Sequence, residues 1–377
     1  MQQGFPRRTV NYTYLFNYRS SNTSRLGRDR TCRQLRTKPM DSKIGVAINS
    51  CGSVAYEHAR AYLSDPRCEI VGVASRTCKS AEKMISELGL DCTIYPDYDA
   101  LLSDPRVQAV SITSPNYLHA AEAAAALRAD KHVLLEKPPG ITHEQLDDLS
   151  AALQGRSLTT LCSFVLRWNP LVQALIALRD QGAFGELFFV QTDYWHGVGS
   201  VISPDRWLSK TQYAGSAVLA GGSHAVDLAR HFAGDIESVS AFSLRRAEGF
   251  DYDTTISATL RLTSGGTGRL SVSFDAPAPY QFNIEFIGSQ GVCRQNRVWS
   301  EQAFPGQGDW VSLPQAGPDS GAVSHHPFNA EIAHFLDRIQ EGRDGDPSLS
   351  HAIETARVCL AIGESAANGG QPVKVKR

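Results

Sequence analysis

Short apolar runs alternate with helical patterns through the first part of the chain, from about residue 43 to residue 161. Each run has the length of a strand and is followed by a turn and then by apolar residues at helical spacing. Apolar strands separated by helices of about 10–15 residues are typical of a parallel sheet that is covered on both faces. The pattern therefore predicts an α/β domain with a doubly wound parallel sheet. Its strands are expected at residues 44–48, 69–74, 107–112, 132–135 and 157–162.

Beyond residue 250 the pattern changes to a strict alternation of apolar and polar residues. The apolar positions are Ile256, Ala258, Leu260, Leu262, Leu270, Val272, Phe274, Phe282, Ile284 and Phe286. This period predicts strands with one buried face and another left for solvent, a ligand or a second subunit. Helices are expected at 329–340 and 350–364, and a surface excursion rich in Gly, Pro, Gln and Ser at 301–324. We therefore place a first domain at residues 40–163 and a second at 164–377, whose last helices cover the buried face or return to the first domain.

The turn after the first strand has the layout of a dinucleotide-binding turn. Small residues there would let the backbone approach a pyrophosphate, and the next helix would offer free amide donors at its N-terminus. The fingerprint G-x-G-x-x-[GA] is incomplete, because Ser50 stands at the first glycine position while Gly52 and Ala55 occupy the second and third. A plain strand, turn and helix without a ligand is the alternative. The cofactor-binding residues predicted from this turn of a Rossmann domain are Ser50, Cys51, Gly52, Ser53 and Val54.

Ser75 and Arg76 end the second predicted strand, where an acidic residue would bind the ribose 2′-hydroxyl of NAD. A hydroxyl and a guanidinium suit a 2′-phosphate instead, because both can form strong hydrogen bonds to it. We therefore expect NADP or NAD as the cofactor, with NADP favoured. The alternative for Arg76 is an ordinary surface arginine at the start of a loop.

Two motifs carry candidate chemistry. Glu136-Lys137-Pro138 follows an apolar run, where a parallel strand ends and a binding crevice opens, so that the lysine could reach a ligand. In the second domain two glycines precede a helix on which His224, Asp227 and His231 share a stripe that could face a cleft. Solvated loop residues and an ordinary amphipathic helix are the respective alternatives. No metal site is predicted, because no third and fourth ligand stand at convincing spacing.

Taken together, the motifs resemble those of the Gfo/Idh/MocA oxidoreductases. The resemblance covers nearly all of residues 43–375 and begins with the glycine turn and His58. The further motifs are Thr113-Ser114-Pro115-Asn116 with His119, the run from Lys131 to Pro138, Arg167-Trp168-Asn169-Pro170, the run from Gly221 to Asp227, and Gly369-Gly370-Gln371-Pro372-Val373. The resemblance implies a Rossmann domain and then an α/β domain whose open, largely antiparallel sheet often packs against another subunit. A homodimer or homotetramer is therefore expected.

The resemblance also implies roles for individual residues. Lys137 would bind the reacting oxygen and stabilise a developing alkoxide, and His224 would contact the substrate hydroxyl or exchange its proton. Where polyol dehydrogenases of the family carry an aspartate, this chain has Ala220, so Asp227 becomes the candidate to orient His224. The further cofactor-binding residues are Ser114, Pro115, Asn116, His119, Glu136, Lys137 and Arg167. The resemblance also makes Asp227 a substrate-binding residue. Tyr194 and Trp207 are predicted to bind the substrate, with Trp195, His196 and Asp205 as further candidates to shape the pocket, only because they lie in a polar, aromatic-rich segment.

We therefore expect an enzyme, an NAD(P)-dependent oxidoreductase that transfers hydride between the nicotinamide and a secondary alcohol or ketone of a sugar, cyclitol or related polyol. Two alternatives stay open. One is an NAD-dependent glycosidase or epimerase-type reaction, in which the cofactor is regenerated. The other is a catalytically inactive, dinucleotide-binding regulator. Ser50 and Ala220 favour the regulator, whereas Lys137 and His224 oppose it.

Composition and charge agree with a soluble enzyme of two domains. The 377 residues are 42% hydrophobic and have a formal net charge of −2, of which residues 1–39 alone contribute +8. This Arg-rich segment is expected to lie outside the fold, as a disordered basic leader, a transit peptide or, preferred here, a mispredicted start. The acidic remainder argues against binding of nucleic acid, and no membrane span is predicted. Eight cysteines without a C-x-x-C pair favour free thiols in a reducing compartment, so the cytoplasm is the expected location.

Overall fold

Two sheets organise the part of the chain that the computed structural model describes, residues 43–198 and 207–377. The predicted basic leader, residues 1–39, and the pocket candidate Asp205 lie outside the described residues. Both sheets belong to one compact unit. Side chains from the two sheets can therefore line a common cleft.

The first sheet has six parallel strands in the order of a Rossmann fold. Its strands are β1 (Ile44–Asn49), β2 (Cys68–Ala74), β3 (Thr93–Tyr95), β4 (Ala109–Ile112), β5 (His132–Glu136) and β6 (Thr160–Ser163). They lie side by side as β3-β2-β1-β4-β5-β6, so the strand order reverses between β1 and β4. A crevice opens at that point, at the carboxyl ends of the strands. β4 begins at Ala109 rather than at the predicted residue 107, and β6 begins at Thr160 rather than at 157.

Five helices accompany this sheet within residues 43–163. They are α1 (Ser53–Ser64), α2 (Cys78–Leu88), α3 (Tyr98–Ser103), α4 (His119–Arg128) and α5 (His143–Leu153). Thr77, Asp97 and Thr142 cap α2, α3 and α5, because each side chain accepts a hydrogen bond from an amide of the first turn. The N-cap of α1 is Gly52, which has no side chain to do so. The first amides of α1 are therefore left for another partner.

The second sheet is the open, largely antiparallel sheet that the resemblance implies. Its strands are β7 (Leu187–Trp195), β8 (Ile236–Leu244), β9 (Thr255–Leu262), β10 (Thr267–Ser273), β11 (Gln281–Gly288), β12 (Val292–Arg294), β13 (Arg297–Trp299), β14 (Val311–Ser312) and β15 (Val373–Lys374). Their order is β14-β13-β12-β11-β7-β10-β9-β8-β15, and among these strands β7 and β10 alone pair in parallel. The alternation predicted beyond residue 250 is confirmed, because its apolar positions in β9, β10 and β11 are buried.

The remaining helices cover one face of this sheet or return to the first domain. They are α6 (Pro170–Asp180), α7 (Thr211–Ala214), α8 (Ser223–Ala233), α9 (Phe328–Glu341) and α10 (Leu349–Ala367). α8 packs against β7, and α10 packs against β8 and also reaches α5. α9 packs against α1 of the first domain. Residues 301–324 are mostly exposed and contain the two-residue edge strand β14.

Candidate active site

Two adjoining cavities lie at the carboxyl ends of the parallel strands. The outer cavity, of about 520 Å³, is lined from the ends of β1, β2 and β4, and the inner cavity, of about 550 Å³, is lined from both sheets. Residues that line both cavities are Ser50, Gly52, Ser114, Pro115 and Trp207. The cavities therefore form one continuous cleft. It has the position in which α/β sheets bind dinucleotides, with further space for a small molecule.

The turn between β1 and α1 forms part of the wall of this cleft. Ser50 has a φ of +91°, a conformation that favours glycine, and its amide donates to Ala74 O at 2.8 Å. A Cβ added to Gly52 would meet no atom within 4 Å. Open space therefore adjoins the uncapped amides of α1, which is the arrangement that binds a phosphate at a helix N-terminus. The residues predicted from this turn all line the cleft: Ser50, Cys51, Gly52, Ser53 and Val54.

The predicted pair at the end of β2 lies in the outer cavity. Ser75 and Arg76 line it together with Thr77. Asp97 lines the same cavity, but its carboxylate accepts the Ala100 amide at 2.8 Å and so caps α3. Hydroxyl groups and one guanidinium thus stand where this fold binds the adenosine ribose.

The loop after β4 is fastened to the loop after β5 by His119. The His119 ring lies with Nδ1 2.7 Å from Pro138 O and Nε2 2.7 Å from Ser114 O. Asn116 is buried, and its Nδ2 donates to Ala214 O at 3.2 Å. The predicted residues of this loop all line the inner cavity: Ser114, Pro115, Asn116 and His119. Two of these side chains also hold the loop in shape, and their contact with a cofactor stays a prediction.

Lys137 enters the inner cavity directly after β5, and its Nζ donates to Ala220 O at 2.8 Å. Burial lowers the pKa of Lys137, while the Glu136 carboxylate opposes this shift. His58 Nε2 lies 3.2 Å from Glu136 Oε1, and its Nδ1 lies 2.6 Å from Ser111 Oγ. Burial alone would raise the pKa of Glu136, but His58 and Lys137 bring it to about 2. A carboxylate charge therefore lies beside Lys137 at neutral pH.

A π-helical turn, Val218–Gly222, carries the chain from the inner cavity into α8. A Cβ on Gly221 would stand 2.6 Å from the Tyr194 ring, and one on Gly222 would stand 2.3 Å from a Val272 methyl. The two glycines are needed because this turn lies directly against β7 and β10. Their close approach brings Ala220 and Tyr194 into the same cavity wall.

His224 lies just beneath this wall. Its ring stacks on that of Tyr194, with centroids 6.4 Å apart and planes 17° apart. It is 5% exposed, is not among the described side chains that line either cavity, and has a buried Nδ1 without a partner. Burial, and then the charge of Lys137, hold the pKa of His224 well below its ordinary value. The ring is therefore neutral at pH 7.

Asp227 and Arg167 bind each other. Arg167 Nε and Nη2 donate to the two Asp227 oxygens at 2.7 Å each, and His351 Nε2 lies 3.0 Å from Asp227 Oδ1. Burial alone would raise the pKa of Asp227, but Arg167 and His351 hold it well below its ordinary value. Both members of the pair are buried, and neither lines the cleft. The predicted contacts of Asp227 with the substrate and with His224, and of Arg167 with a cofactor, stay predictions.

Family models match both parts of the chain. Residues 44–164 match the oxidoreductase family with an NAD-binding Rossmann fold, and residues 172–294 match the GFO/IDH/MocA C-terminal domain. The chain belongs to the Gfo/Idh/MocA family. The resemblance and the predicted fold are thereby confirmed, and the protein is an oxidoreductase.

Relatives of this Gfo/Idh/MocA protein include dehydrogenases and reductases that act on sugars. D-xylose 1-dehydrogenase (NADP(+)) 2 of Haloferax volcanii is 30% identical over 313 residues, which cover 80% of this chain and 90% of the relative. Levoglucosan dehydrogenase of Pseudarthrobacter phenanthrenivorans is 26% identical over 322 residues, which cover 72% of this chain and 81% of the relative. A solved structure of levoglucosan dehydrogenase with NADH and levoglucosan shares the fold at a TM-score of 0.79 and 22% identity, over 89% of this chain and 100% of that chain.

The Gfo/Idh/MocA cleft also contains side chains that the sequence motifs do not single out. Phe274 lines the inner cavity beside the predicted Tyr194 and Trp207. A Cβ on Gly321 would stand 2.3 Å from His196 Nε2, so the end of the 301–324 excursion packs on the cavity wall. Trp195 lies on the face of β7 opposite to Tyr194 and is exposed.

Three further features of the described residues concern metal binding, membrane crossing and disulfide formation. No group of three or more His, Cys, Asp or Glu side chains is placed there to hold a metal ion. None of the helices in residues 43–198 and 207–377 has the length and apolar character to cross a bilayer. The seven cysteines that the structure describes are free thiols.

Proposed function

We propose that this Gfo/Idh/MocA protein is an NAD(P)-dependent oxidoreductase that transfers hydride between a nicotinamide and a secondary alcohol or ketone of a sugar, cyclitol or related polyol. One observation carries the proposal: the Lys137 ammonium lines a cavity that is continuous with the uncapped N-terminus of α1 at Gly52. A positive group and a phosphate-binding turn thus share one cleft. When bound there, the nicotinamide supplies the hydride chemistry.

The protein itself would bind and orient the cofactor and the substrate, and would place a charge beside the reacting oxygen. The amides that follow Gly52 would bind the pyrophosphate. Lys137 has three N–H donors and uses one on Ala220 O, which leaves two for a substrate oxygen. Its charge would stabilise an alkoxide that develops on that oxygen. His224, which is neutral and close enough for Lys137 to affect its pKa, is the proposed partner for the proton.

The inner cavity combines aromatic faces with polar groups. Tyr194, Trp207 and Phe274 line it, and Tyr194 Oη lies 3.3 Å from Nδ1 of the neighbouring His196. Ring faces beside hydrogen-bonding groups suit a sugar ring, which is itself apolar on its faces and polar at its rim. The xylose and levoglucosan dehydrogenases among the relatives support the same substrate class.

We propose NADP as the favoured cofactor. Ser75 and Arg76 line the outer cavity at the end of β2, and a guanidinium there can form charge-assisted hydrogen bonds with a 2′-phosphate. The D-xylose dehydrogenase relative is named for NADP(+), whereas levoglucosan dehydrogenase has been solved with NADH. The choice in this chain therefore depends on Arg76, which is tested below.

We also propose a homodimer or homotetramer in the cytoplasm. Cross-strand register places five large apolar side chains on the outer face of the second sheet, and all are exposed: Trp195, Phe242, Leu244, Ile287 and Trp299. Such a face is typical of a surface that a partner covers. The seven free cysteines agree with a reducing compartment. Light scattering on the protein as it elutes from a size-exclusion column would give its mass. A monomer at micromolar concentration would contradict the proposed oligomer.

The first test is a fluorescence titration of the full chain with NADPH and NADH, followed by a panel of sugars and polyols monitored at the nicotinamide absorbance. We expect binding and net formation of reduced cofactor with at least one substrate. Tight binding without turnover would contradict the dehydrogenase and favour cofactor recycling or a regulator. Absence of binding would contradict the cofactor site itself.

Lys137→Met should lower kcat by about 100- to 1000-fold, because the charge beside the developing alkoxide is lost. Cofactor affinity should change less than about threefold, because Lys137 acts on the substrate oxygen. Lys131→Met is the matched control, since Lys131 is also buried but donates to Val107 O at 2.7 Å, outside the cleft. Its kcat should stay near the wild-type value. Wild-type turnover of Lys137→Met would remove this lysine from the mechanism.

A further inference from the structure

Glu331, on α9, is a buried carboxyl group that forms no ion pair with any of the described residues. It is fully buried, and its Oε1 has no hydrogen-bond partner. Its Oε2 lies 3.0 Å from Ser163 Oγ at the end of β6. An unpaired carboxylate in such surroundings is far more costly than the neutral acid. The geometry therefore favours a protonated Glu331.

Glu136 lies on the other side of Ser163. The parallel register of β5 and β6 sets these two residues opposite each other, and the Ser163 hydroxyl is close enough to lower the pKa of the Glu136 carboxyl. The titratable groups around the two carboxyls are His58 and Tyr62 on α1, His119 at the start of α4, Lys137 directly after β5, Cys162 on β6, His224 on α8 and His326 before α9. His58 and Lys137 lower the pKa of Glu136.

Ser163 has a single hydroxyl hydrogen, and this limits which group donates each hydrogen bond between the two carboxyls. Ser163 cannot donate to both carboxyls at once. A protonated Glu331 would donate to Ser163 Oγ, which leaves the Ser163 hydrogen for Glu136. Burial, and then the Glu136 charge, raise the pKa of Glu331 well above its ordinary value, whereas that of Glu136 is about 2. Of the two carboxyls, Glu331 is therefore the one that favours the proton.

We propose that Glu331 is a positioning residue that acts as a neutral carboxylic acid: it donates to Ser163, and Ser163 donates to Glu136, which keeps the Glu136 carboxylate in place beside Lys137. This assignment rests on the proposed function, because its effect on turnover passes through Lys137. Glu331 itself lines neither cavity of the described structure. No bond to substrate or cofactor is involved.

Infrared difference spectroscopy of the full chain tests the protonation state without any substrate. The wild-type spectrum minus that of Glu331→Gln at pH 7 should show the carbonyl stretch of a protonated carboxyl, which is resolved from carboxylate bands. A carboxylate band in its place would overturn the proposal. Glutamine has the shape of the neutral acid and can donate an N–H to Ser163, so this variant should fold like the wild type.

The pH profile of kcat tests the link to Lys137. Glu331→Gln should keep kcat within about twofold and leave the alkaline limb unmoved, because no charge is lost. Glu331→Leu lacks the donor and should lower kcat about tenfold at unchanged cofactor affinity, which corresponds to one lost hydrogen bond. Ser163→Ala should have the same effect, and the double variant should be no slower than either single one.

Two kinetic outcomes would overturn the assignment. An alkaline limb that moves to lower pH in Glu331→Gln would reveal a lost negative charge near Lys137, and additive losses in the double variant would show that Ser163 does not connect the carboxyls. If the leucine variant does not fold, the infrared spectrum and the pH profile of the glutamine variant still test whether Glu331 is protonated. If the wild type turns over no sugar or polyol, the proposed function fails, whereas the infrared result on Glu331 is unaffected.

Discussion

Replacement of Gly52 by alanine should separate cofactor binding from folding. Gly52 is the N-cap of α1 with φ −78° and ψ 178°, a conformation that alanine adopts without strain. A Cβ there meets no protein atom within 4 Å. Because Gly52 lines both cavities, the added methyl would occupy space in the cleft that the proposed pyrophosphate needs.

The expected free-energy effect of Gly52→Ala is small in the free protein and large in the NADPH-bound protein. Without ligand, alanine reduces the entropy of the unfolded chain, worth about 0.4–1 kcal/mol, and is a poorer N-cap than glycine by a similar amount. The free energy of unfolding should therefore change by less than about 1 kcal/mol. With ligand, a methyl that holds the pyrophosphate away from one amide removes a hydrogen bond to a charged group, worth about 1.5–3 kcal/mol. The Kd for NADPH should rise about 10- to 100-fold.

The assay combines a urea titration with a fluorescence titration of NADPH on the same preparations. Gly308→Ala is the matched control, because a Cβ at Gly308 also meets no atom within 4 Å and Gly308 lines neither cavity. The control should bind NADPH like the wild type. Unchanged affinity in a folded Gly52→Ala variant would show that no pyrophosphate lies at this turn. Weaker binding in the control as well would show that the effect is not local.

Two further predictions concern charged groups. Arg76→Ala should raise the Kd for NADPH about tenfold more than the Kd for NADH, since only NADPH carries the 2′-phosphate, and equal weakening would exclude this role. Asp227→Asn should destabilise the fold by about 3–5 kcal/mol near pH 7, because Arg167 then loses a buried partner. Folding lowers the pKa of Asp227, so the wild-type advantage in urea titrations should be complete above the ordinary carboxyl pKa and shrink as pH falls toward the folded-state value. A difference that does not change with pH would contradict this account.

The hydrophobic pattern predicts the fold because a strand buried on both faces is continuously apolar, whereas a strand buried on one face alternates apolar and polar residues. Continuous apolar runs correspond to β1, β2 and β5, and strict alternation corresponds to β9, β10 and β11. β3 and β12–β15 are only two or three residues long, too short for a period, and pairing with neighbouring strands defines them. β7 and β8 have nine residues each, but their polar and apolar residues do not alternate strictly, so the pattern does not reveal them.

The cleft is predictable where its chemistry is local in sequence. Lys137 directly follows β5 and Gly52 lies in the short turn after β1, so the strand ends set their positions. The partner of Asp227 is Arg167, sixty residues away, and no local spacing reports such a pair. The spacing of His224 and Asp227 predicts a stripe that could face a cleft, but neither side chain lines the two cavities of the described structure. α8 is buried around most of its circumference, so its polar side chains Asp227 and Arg230 bind other protein groups instead of lining the cleft.

Ser50 shows why a degenerate motif need not mean a lost site. A serine at φ +91° costs about 1–2 kcal/mol relative to an unstrained conformation, so sequence alone would suggest a different turn. Two hydrogen bonds nevertheless hold the backbone here, because the Ser50 amide donates to Ala74 O at 2.8 Å and the Thr113 amide donates to Asn49 O at 3.1 Å. Strain of this kind persists where surrounding contacts over-determine the conformation. Binding of the pyrophosphate then depends on the open space at Gly52, and Ser50 alone gives no reason to expect a protein that has lost its cofactor.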